Sequence, residues 1–283
     1  MPENVGILHP GEMGVSIAVS ARNGGHAVLW VSAGRGPQTL QRAREHSLVE
    51  VSSLAELCRT CSIIISVCPP HAAEAVAKQV LDCSFKGLYA DVNAIAPQRA
   101  TRLAEGMEAR GITFVDGGII GGPAWEVGKT WLYLSGLEAE KVAHCFSAGP
   151  LQTEIVGDRV GQASALKMCY SAYSKGTAAL LCATLGAAES LEVREELERQ
   201  WSRDEAGSAE QATQRARRVT AKAWRFAGEM EEIAATFEVA GMPSGFHAAA
   251  ADIYRRLADF KDQTTTPSLS EVLTALQGGE VKD

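Results

Sequence analysis

No apolar run in this sequence comes near the length that crosses a bilayer. Stretches such as Ile63-Ile64-Ile65 are a few residues long, against the roughly 20 that a spanning helix needs, so no membrane partner is expected. Positive charge is not in excess either. With 27 Lys and Arg against 34 Asp and Glu, the net charge is -7, which argues against a nucleic-acid partner, usually met by a basic face. Cys58-x-x-Cys61 has no second such pair and no spaced histidines behind it. A zinc site usually takes four ligands, so no metal is expected. The seven cysteines are odd in number, and Cys68, Cys169 and Cys182 fall in apolar runs. They read as free, buried thiols in a reducing compartment. The start of the chain lacks the basic segment and cleavage site of a secretory signal, so a cytoplasmic protein is expected. What remains is an ordinary globular composition, 46% hydrophobic and 22% charged over 283 residues, with room for two domains.

The first half alternates short apolar runs with amphipathic helical patterns. Asn4–Leu8 reads as a strand, His9-Pro10-Gly11-Glu12-Met13-Gly14 as a turn, Val15 to Asn23 as a helix closed by Gly24-Gly25, and Ala27–Val31 as a second strand. Strand, glycine turn, helix and strand within about thirty residues is the context of a dinucleotide-binding fingerprint. Against G-x-G-x-x-G the first glycine is His9. Gly11, which lets backbone approach a pyrophosphate, and Gly14, which lets helix and strand pack closely, are both present. His9-Pro10 supplies the turn another way, and His9 is a candidate to face a phosphate or a purely structural residue. After the second strand, Trp30-Val-Ser32-Ala-Gly-Arg35 contains no Asp or Glu to accept from a ribose diol. Ser32 and Arg35 suit a 2′-phosphate instead, so NADP is expected over NAD.

Further strands are expected over Leu48–Val51, Ser62–Val67, Gly87–Asp91, Ile112–Asp116, Thr130–Ser135 and Leu151–Val156, with helices between them. Ser52 or Ser53 is the expected cap of the helix over residues 53–59, with Glu56 completing a capping box with Ser53. The Ile63 strand has almost no polar alternation, as a parallel strand covered on both faces requires. Its end, Val67-Cys68-Pro69, would meet cofactor, as would Asn93 after the next strand. Asn93 could equally cap a strand-end turn. Gly117 to Pro123 reads as a loop, and Thr130–Ser135 as an antiparallel strand at the sheet edge. This is an α/β, Rossmann-type doubly wound, mostly parallel sheet over residues 1–158.

From 159 to 283 nearly everything reads as helix, an all-α domain, with Trp201 to Ala209 as a polar connection. In Gly161–Leu181 an apolar face is expected from Leu166, Cys169, Tyr170, Tyr173, Thr177, Leu180 and Leu181. Lys167, Ser171, Ser174 and Lys175 form a polar row at i, i+4, i+7 and i+8. Such a row is either a solvated face or one in which Lys167 points into a cleft between the domains.

Together these motifs resemble the β-hydroxyacid dehydrogenase family, the relatives of 3-hydroxyisobutyrate dehydrogenase and phosphogluconate dehydrogenase, over nearly the whole chain. The likeness is greatest to a bacterial branch whose phosphogluconate-dehydrogenase-like C-terminal domain has no assigned chemistry. The resemblance places the family's catalytic lysine, in G-x-x-x-x-x-K-x-x-x-N, on Lys167, and its loop D-A-P-V-S-G-G on Asp116 to Gly122. The family's later Lys-Asp pair falls on Gly228-Glu229. It implies a cofactor-bound oxidoreductase, a small-molecule substrate and a homodimer. Asn93, Gly121, Gly122, Ser171, Glu229 and His247 are the candidates for substrate, and Lys167 for the proton that accompanies hydride transfer. The departures are Ile120 for the loop serine, Ser171 for the asparagine and Gly228 for the second lysine. They leave two alternatives open: an imine or enamine reductase, or an NADP-binding protein without turnover.

Overall fold

The computed structural model describes residues 2–278 and divides the chain into two compact units, Met1–Met168 and Cys169–Asp283. The sequence reading set the boundary at 158/159. The division falls instead inside one long helix, whose first turns pack with the sheet and whose remainder packs with other helices.

In the first unit, β1 (Asn4–Leu8), β2 (Ala27–Val31), β3 (Val49–Val51), β4 (Ile63–Ser66), β5 (Leu88–Asp91), β6 (Thr113–Ile120), β7 (Trp131–Ser135) and β8 (Gln152–Gly157) form one sheet. Its order is β3-β2-β1-β4-β5-β6-β7-β8, parallel except for the β6–β7 pair. The helices are α1 (Glu12–Asn23), α2 (Pro37–Glu45), α3 (Leu54–Thr60), α4 (Ala73–Asp82), α5 (Pro97–Glu108) and α6 (Ala139–His144). Strand alternation sorts the core into two layers. Val5, Ile7, Val28, Trp30, Ile63 and Ile65 face one side with Ile17 of α1 and Val142 of α6. Leu29, Ile64, Tyr89 and Phe114 face the other with Leu57, Val80 and Met107 of α3, α4 and α5. Every residue of β4 is buried, as its central place predicts.

Several local expectations are corrected. Gly117 to Ile120 is strand, not loop, because β7 pairs with it from Asp116↔Ser135 to Ile120↔Trp131. β7 is antiparallel to β6 but does not close the sheet, since β8 pairs along its outer side. Ser53 does cap α3, accepting from the Glu56 N–H at 3.2 Å. The Glu56 carboxylate, however, takes the N–H and hydroxyl of Ser52 (2.8 and 2.7 Å), so the reciprocal bond lies one residue earlier.

α7 (Gln162–Ser190) spans the division. Most of its buried residues are small ones, among them Ala163, Ser164, Ser171, Ala172, Ala178 and Ala179, with Met168 and Leu185 the large exceptions. Leu166, Tyr170, Tyr173 and Leu180 are exposed in this chain, and so is Cys169. The expected apolar face is therefore the uncovered one. The second unit continues with α8 (Arg194–Asp204), α9 (Ser208–Val239), α10 (Gly245–Arg256) and α11 (Leu269–Gly278). Most of the expected connection over 201–209 is helix. α9 buries Ala216, Thr220, Ala223, Ala227, Met230 and Ile233 at three- and four-residue steps, the stripe of an amphipathic helix. Phe226 packs edge-to-face on Tyr254 of α10. Trp224 is half-exposed beneath the Lys261 ammonium.

Gly118 lets α7 lie directly on β6. A Cβ there would stand 2.8 Å from the Ala163 carbonyl oxygen and 2.8 Å from Lys167 Cβ. Gly118→Ala is expected to destabilise the protein by about 1–3 kcal/mol, the cost of overpacking, read as a lower denaturant midpoint.

Candidate active site

The sheet presents its carboxyl edge as a row. Leu8 pairs with Ser66, Ser66 with Asp91, and Asp91 with Asp116, so β1, β4 and β5 end level beside Asp116 of β6, which runs on to Ile120. The strand order reverses between β1 and β4, and in open α/β sheets ligands bind beyond the strand ends at that reversal.

On the β1–β2 side, α1 begins at Gly11 with no side-chain cap, which leaves its first-turn N–H groups to an anion. A Cβ on Gly11 would touch nothing within 4 Å, so backbone there is open to approach. Gly14, by contrast, would place a Cβ 2.0 Å from the His9 carbonyl oxygen, which fixes how closely helix and strand pack. Pro10 is buried, Met13 packs against the core, and Glu12 is exposed. His9 is tied at both ends of its backbone. Its N–H donates to the Val67 carbonyl (3.0 Å), and its own carbonyl accepts from Gly11 (2.8 Å). The residue lines a cavity of about 270 Å³ with Leu8, Val31, Arg35, Ser53 and Gln79. His9 Nδ1 and Arg35 Nε are buried without a hydrogen-bond partner. Burial, reinforced by the Arg35 charge, pushes the His9 imidazole down to about 4. Ser32 is half-buried, and its carbonyl accepts from the Arg35 N–H (3.0 Å), closing the turn that carries the guanidinium. An uncapped helix start, an open glycine and a part-apolar cavity lined by His9 and Arg35 fit the phosphates and adenosine of a dinucleotide.

On the β4–β6 side the polar groups are satisfied. Asn93 Oδ1 accepts from the Cys68 N–H (2.6 Å), and its Nδ2 donates to Ser66 Oγ (3.0 Å) and Asp91 Oδ2 (2.9 Å). Its amide thus staples the ends of β4 and β5 and sets the Val67-Cys68-Pro69 turn. Burial pushes the Cys68 thiol up to about 11. Asp116 receives four bonds: from Ser135 Oγ (3.0 Å), from the Gly161 and Ser164 N–H groups (2.9 and 3.0 Å), and from Ser164 Oγ (2.5 Å). It holds the start of α7 against the sheet, and Lys167, half-buried, follows less than one turn after Ser164 with its Cβ over Gly118. Gly121 leaves β6 with φ +126°, and the Gly122 carbonyl accepts from Thr130 Oγ1 (2.8 Å). The anchoring role of Asp116 was missed in the sequence. Its signal was a carboxylate level with the strand ends and a helix start rich in Gly and Ser.

In the second unit Ser171 and Glu229 are brought together through Lys175. The Lys175 ammonium donates to Ser171 Oγ (3.1 Å) and pairs with Glu229 (2.8 Å), both side chains 12% exposed, 5.0 Å from the centre of the Phe226 ring. Lys175 was seen in the polar row but not as a site residue. The Lys-Ser step of four residues was its signal. His247 is not part of this cluster. It is buried between Phe237 and Phe246, ring centres 4.2 and 5.2 Å away, and burial lowers its basicity.

Comparison with known proteins decides the lineage. The NAD binding domain of 6-phosphogluconate dehydrogenase is matched over residues 4–146, half of the chain. The chain belongs to the β-hydroxyacid dehydrogenase-like family. Residues 188–257 match a domain of unknown function, DUF1932, which gives this member of the family its C-terminal part. An uncharacterized 28.5 kDa protein of Methanothermus fervidus is 31% identical over 164 residues, spanning 58% of this chain and 62% of that protein. A conserved protein of unknown function, described as structurally similar to 3-hydroxyacid dehydrogenases, is 28% identical with a TM-score of 0.66, covering 91% and 97% of the two chains. The fold is shared with 3-hydroxyisobutyrate dehydrogenase of Mycobacterium tuberculosis (16% identity, TM-score 0.71, 98% and 100% covered). It is shared too with an imine reductase from Myxococcus stipitatus (15% identity, TM-score 0.57, 98% and 100% covered).

The buried carboxyls of this family member give a pH signature. Complete burial pushes Asp91 up to about 7, against two Asn93 hydrogen bonds and the Arg99 charge, with Asp116 adding like charge. Asp116 is raised as well, burial outweighing its hydrogen bonds. An unfolded Asp titrates near about 3.9. Between roughly pH 4 and 7 the folded state therefore holds the extra proton, and stability falls as pH rises. Urea unfolding across that window should show this slope, and Asp91→Asn should flatten it.

Proposed function

We propose that the protein is an NADP-dependent oxidoreductase acting on a small hydroxy or oxo substrate, with Lys167 as general acid/base. The observation that carries this reading is the single carboxyl edge of the first unit. It has the uncapped α1 start and open Gly11 at one end, and Lys167 over Gly118 at the other. When bound, the nicotinamide supplies or accepts the hydride. The chain's own residues supply the rest. The α1 N–H groups hold phosphate, and Arg35 and Ser32 meet the 2′-phosphate that an acidic residue at this point would repel. Asn93 keeps the β4 and β5 ends in register, so that Val67, Cys68 and Pro69 form a fixed wall. Lys167 gives a proton to a carbonyl oxygen as it becomes hydroxyl, or removes it in the reverse direction. A neighbouring positive charge or loss of water makes an ammonium a readier donor.

Two groups that the family resemblance would assign to a substrate carboxylate are altered. Ile120 offers no side-chain donor, and the Ser171 hydroxyl accepts from Lys175. This favours a substrate without a carboxylate, and it supports imine or enamine reduction as a second reading, with Lys167 again the proton donor. Binding without turnover is the third. We also propose a homodimer, supported by the exposed Leu166, Tyr170, Tyr173 and Leu180 along α7.

A screen of NADPH oxidation against aldehydes, ketones and imines separates these readings. Turnover on carbonyls is expected, and tight NADP binding with no turnover on any class would leave the silent reading. Lys167→Ala should bind NADP within about threefold of wild type while losing at least about a hundredfold in turnover, on the order expected of a general acid/base. Undiminished activity would remove Lys167 from the mechanism. Arg35→Ala should weaken NADP about tenfold or more, as loss of a charge-assisted contact does, and leave NAD nearly unchanged. An equal loss for both would remove the 2′-phosphate role.

A further inference from the structure

The imidazole at the first position of the glycine turn has no assigned task. His9 stands where the dinucleotide fingerprint has a glycine, and the turn is held without its side chain, by the Val67 carbonyl and the Gly11 N–H. The ring is therefore not needed to close the turn. His9 and Arg35 both line a cavity of about 270 Å³. Each of the two residues also holds a nitrogen unanswered: His9 Nδ1 and Arg35 Nε are buried and without a hydrogen-bond partner. Buried polar atoms are nearly always paired, and two orphaned nitrogens on residues of one cavity wall point to an acceptor that a ligand brings. The walls contributed by Leu8 and Val31 are apolar, whereas Ser52, Ser53 and Gln79 are polar. This mixture suits a purine nucleoside carrying a compact anion.

We propose that His9 and Arg35 form a two-point clamp for the 2′-phosphomonoester of an adenosine, His9 binding it as the imidazolium. The inference rests on the NADP reading above and adds to it a second specificity-determining residue.

The charge that His9 needs arrives with the ligand. Without phosphate, burial and Arg35 keep the ring neutral down to about pH 4. A phosphate between the two cations reverses that balance, since an opposite charge within contact distance favours the charged form. One proton then passes from solvent to Nδ1, which becomes a donor to a phosphate oxygen. Arg35, on the segment after β2, is the charged group among the residues lining the cavity. Ser52, Ser53 and Gln79 do not titrate in this range. Glu56 on α3 is engaged by the N–H and hydroxyl of Ser52, and Glu12 on α1 is exposed. The sign follows. His9-dependent affinity for the 2′-phosphate is present at mildly acid pH and fades as pH rises through the liganded imidazole's titration. The second ionisation of the phosphate, near about 6, acts in the opposite sense. A variant lacking the imidazole reports that contribution alone.

The test uses the full-length protein and two adenosine probes, adenosine 2′,5′-bisphosphate and 5′-AMP, which need no nicotinamide and no turnover. Affinities are measured by titration calorimetry at pH 6.0 and 8.5 for wild type, His9→Asn and His9→Gly, in two buffers of different ionisation enthalpy at each pH. At pH 6.0 both variants should lose about tenfold for the bisphosphate, as one charge-assisted contact supplies. They should keep 5′-AMP within about twofold, and the gap should narrow at pH 8.5. At pH 6.0 wild type should take up more protons with the bisphosphate than either variant. Equal bisphosphate affinities and proton uptake in wild type and variants would overturn the clamp while leaving the NADP reading standing. Tighter binding by His9→Gly would show the ring to be an obstruction, and loss of 5′-AMP in both variants would make it part of the turn. Either result overturns the proposal. Wild type that binds the bisphosphate no better than 5′-AMP at both pH values would remove the NADP reading and the clamp together.

Discussion

The first unit depends on a single buried carboxylate. Asp116 lies beside the end of β5 and receives bonds from Ser135, Gly161 and twice from Ser164. An isolated buried carboxylate is strongly disfavoured. Here the donors include two backbone N–H groups at the start of α7, where the helix dipole also favours negative charge. Ser135 extends the arrangement, because its oxygen accepts from the Ala163 N–H at 3.0 Å while its proton goes to Asp116. One side chain thus ties β6, β7 and the first turn of α7 together, and the position of Lys167 follows from that.

The two ends of the carboxyl edge are built on opposite principles. Around β4, β5 and β6 the protein answers its own polar groups: Asn93 is bonded at both ends of its amide, and Asp91 and Asp116 have their partners. Such a network specifies one arrangement. Around β1 and β2 the reverse holds, for α1 lacks a side-chain cap and His9 and Arg35 each keep a buried nitrogen without a partner. A rigid wall at one end and unanswered donors at the other divide the work of positioning from the work of recognition.

Much of this organisation was legible in the residues. The continuous apolar runs of β1, β2 and β4 and the glycine turn before α1 are local patterns, and the sheet and its first crossover are legible from them. The parts missed depend on partners distant in sequence. Gly117 to Ile120 looks like a loop because glycine is poor in strands, yet β7 lies alongside to pair with it. That the apolar face of α7 is the exposed one was not legible, because periodicity reports which residues share a face, not which face is covered. Here the covered face belongs mostly to alanines and serines that allow close approach, with Met168, Cys182 and Leu185 among them. Lys175 was overlooked because its partner Glu229 is 54 positions away, and nothing local marks such a pairing.

The contact between α7 and β6 at Gly118 has a consequence for how the lysine is held. Main chain lies against main chain there, with no side chain between as a spacer. The height of Lys167 Cβ above the strand is then set by the radii of peptide atoms, not by the rotamer of an intervening residue. Repacking elsewhere in the hydrophobic layers can shift side chains without altering that height. The reach of the ammonium is left to its own four methylenes, pivoting from a fixed base.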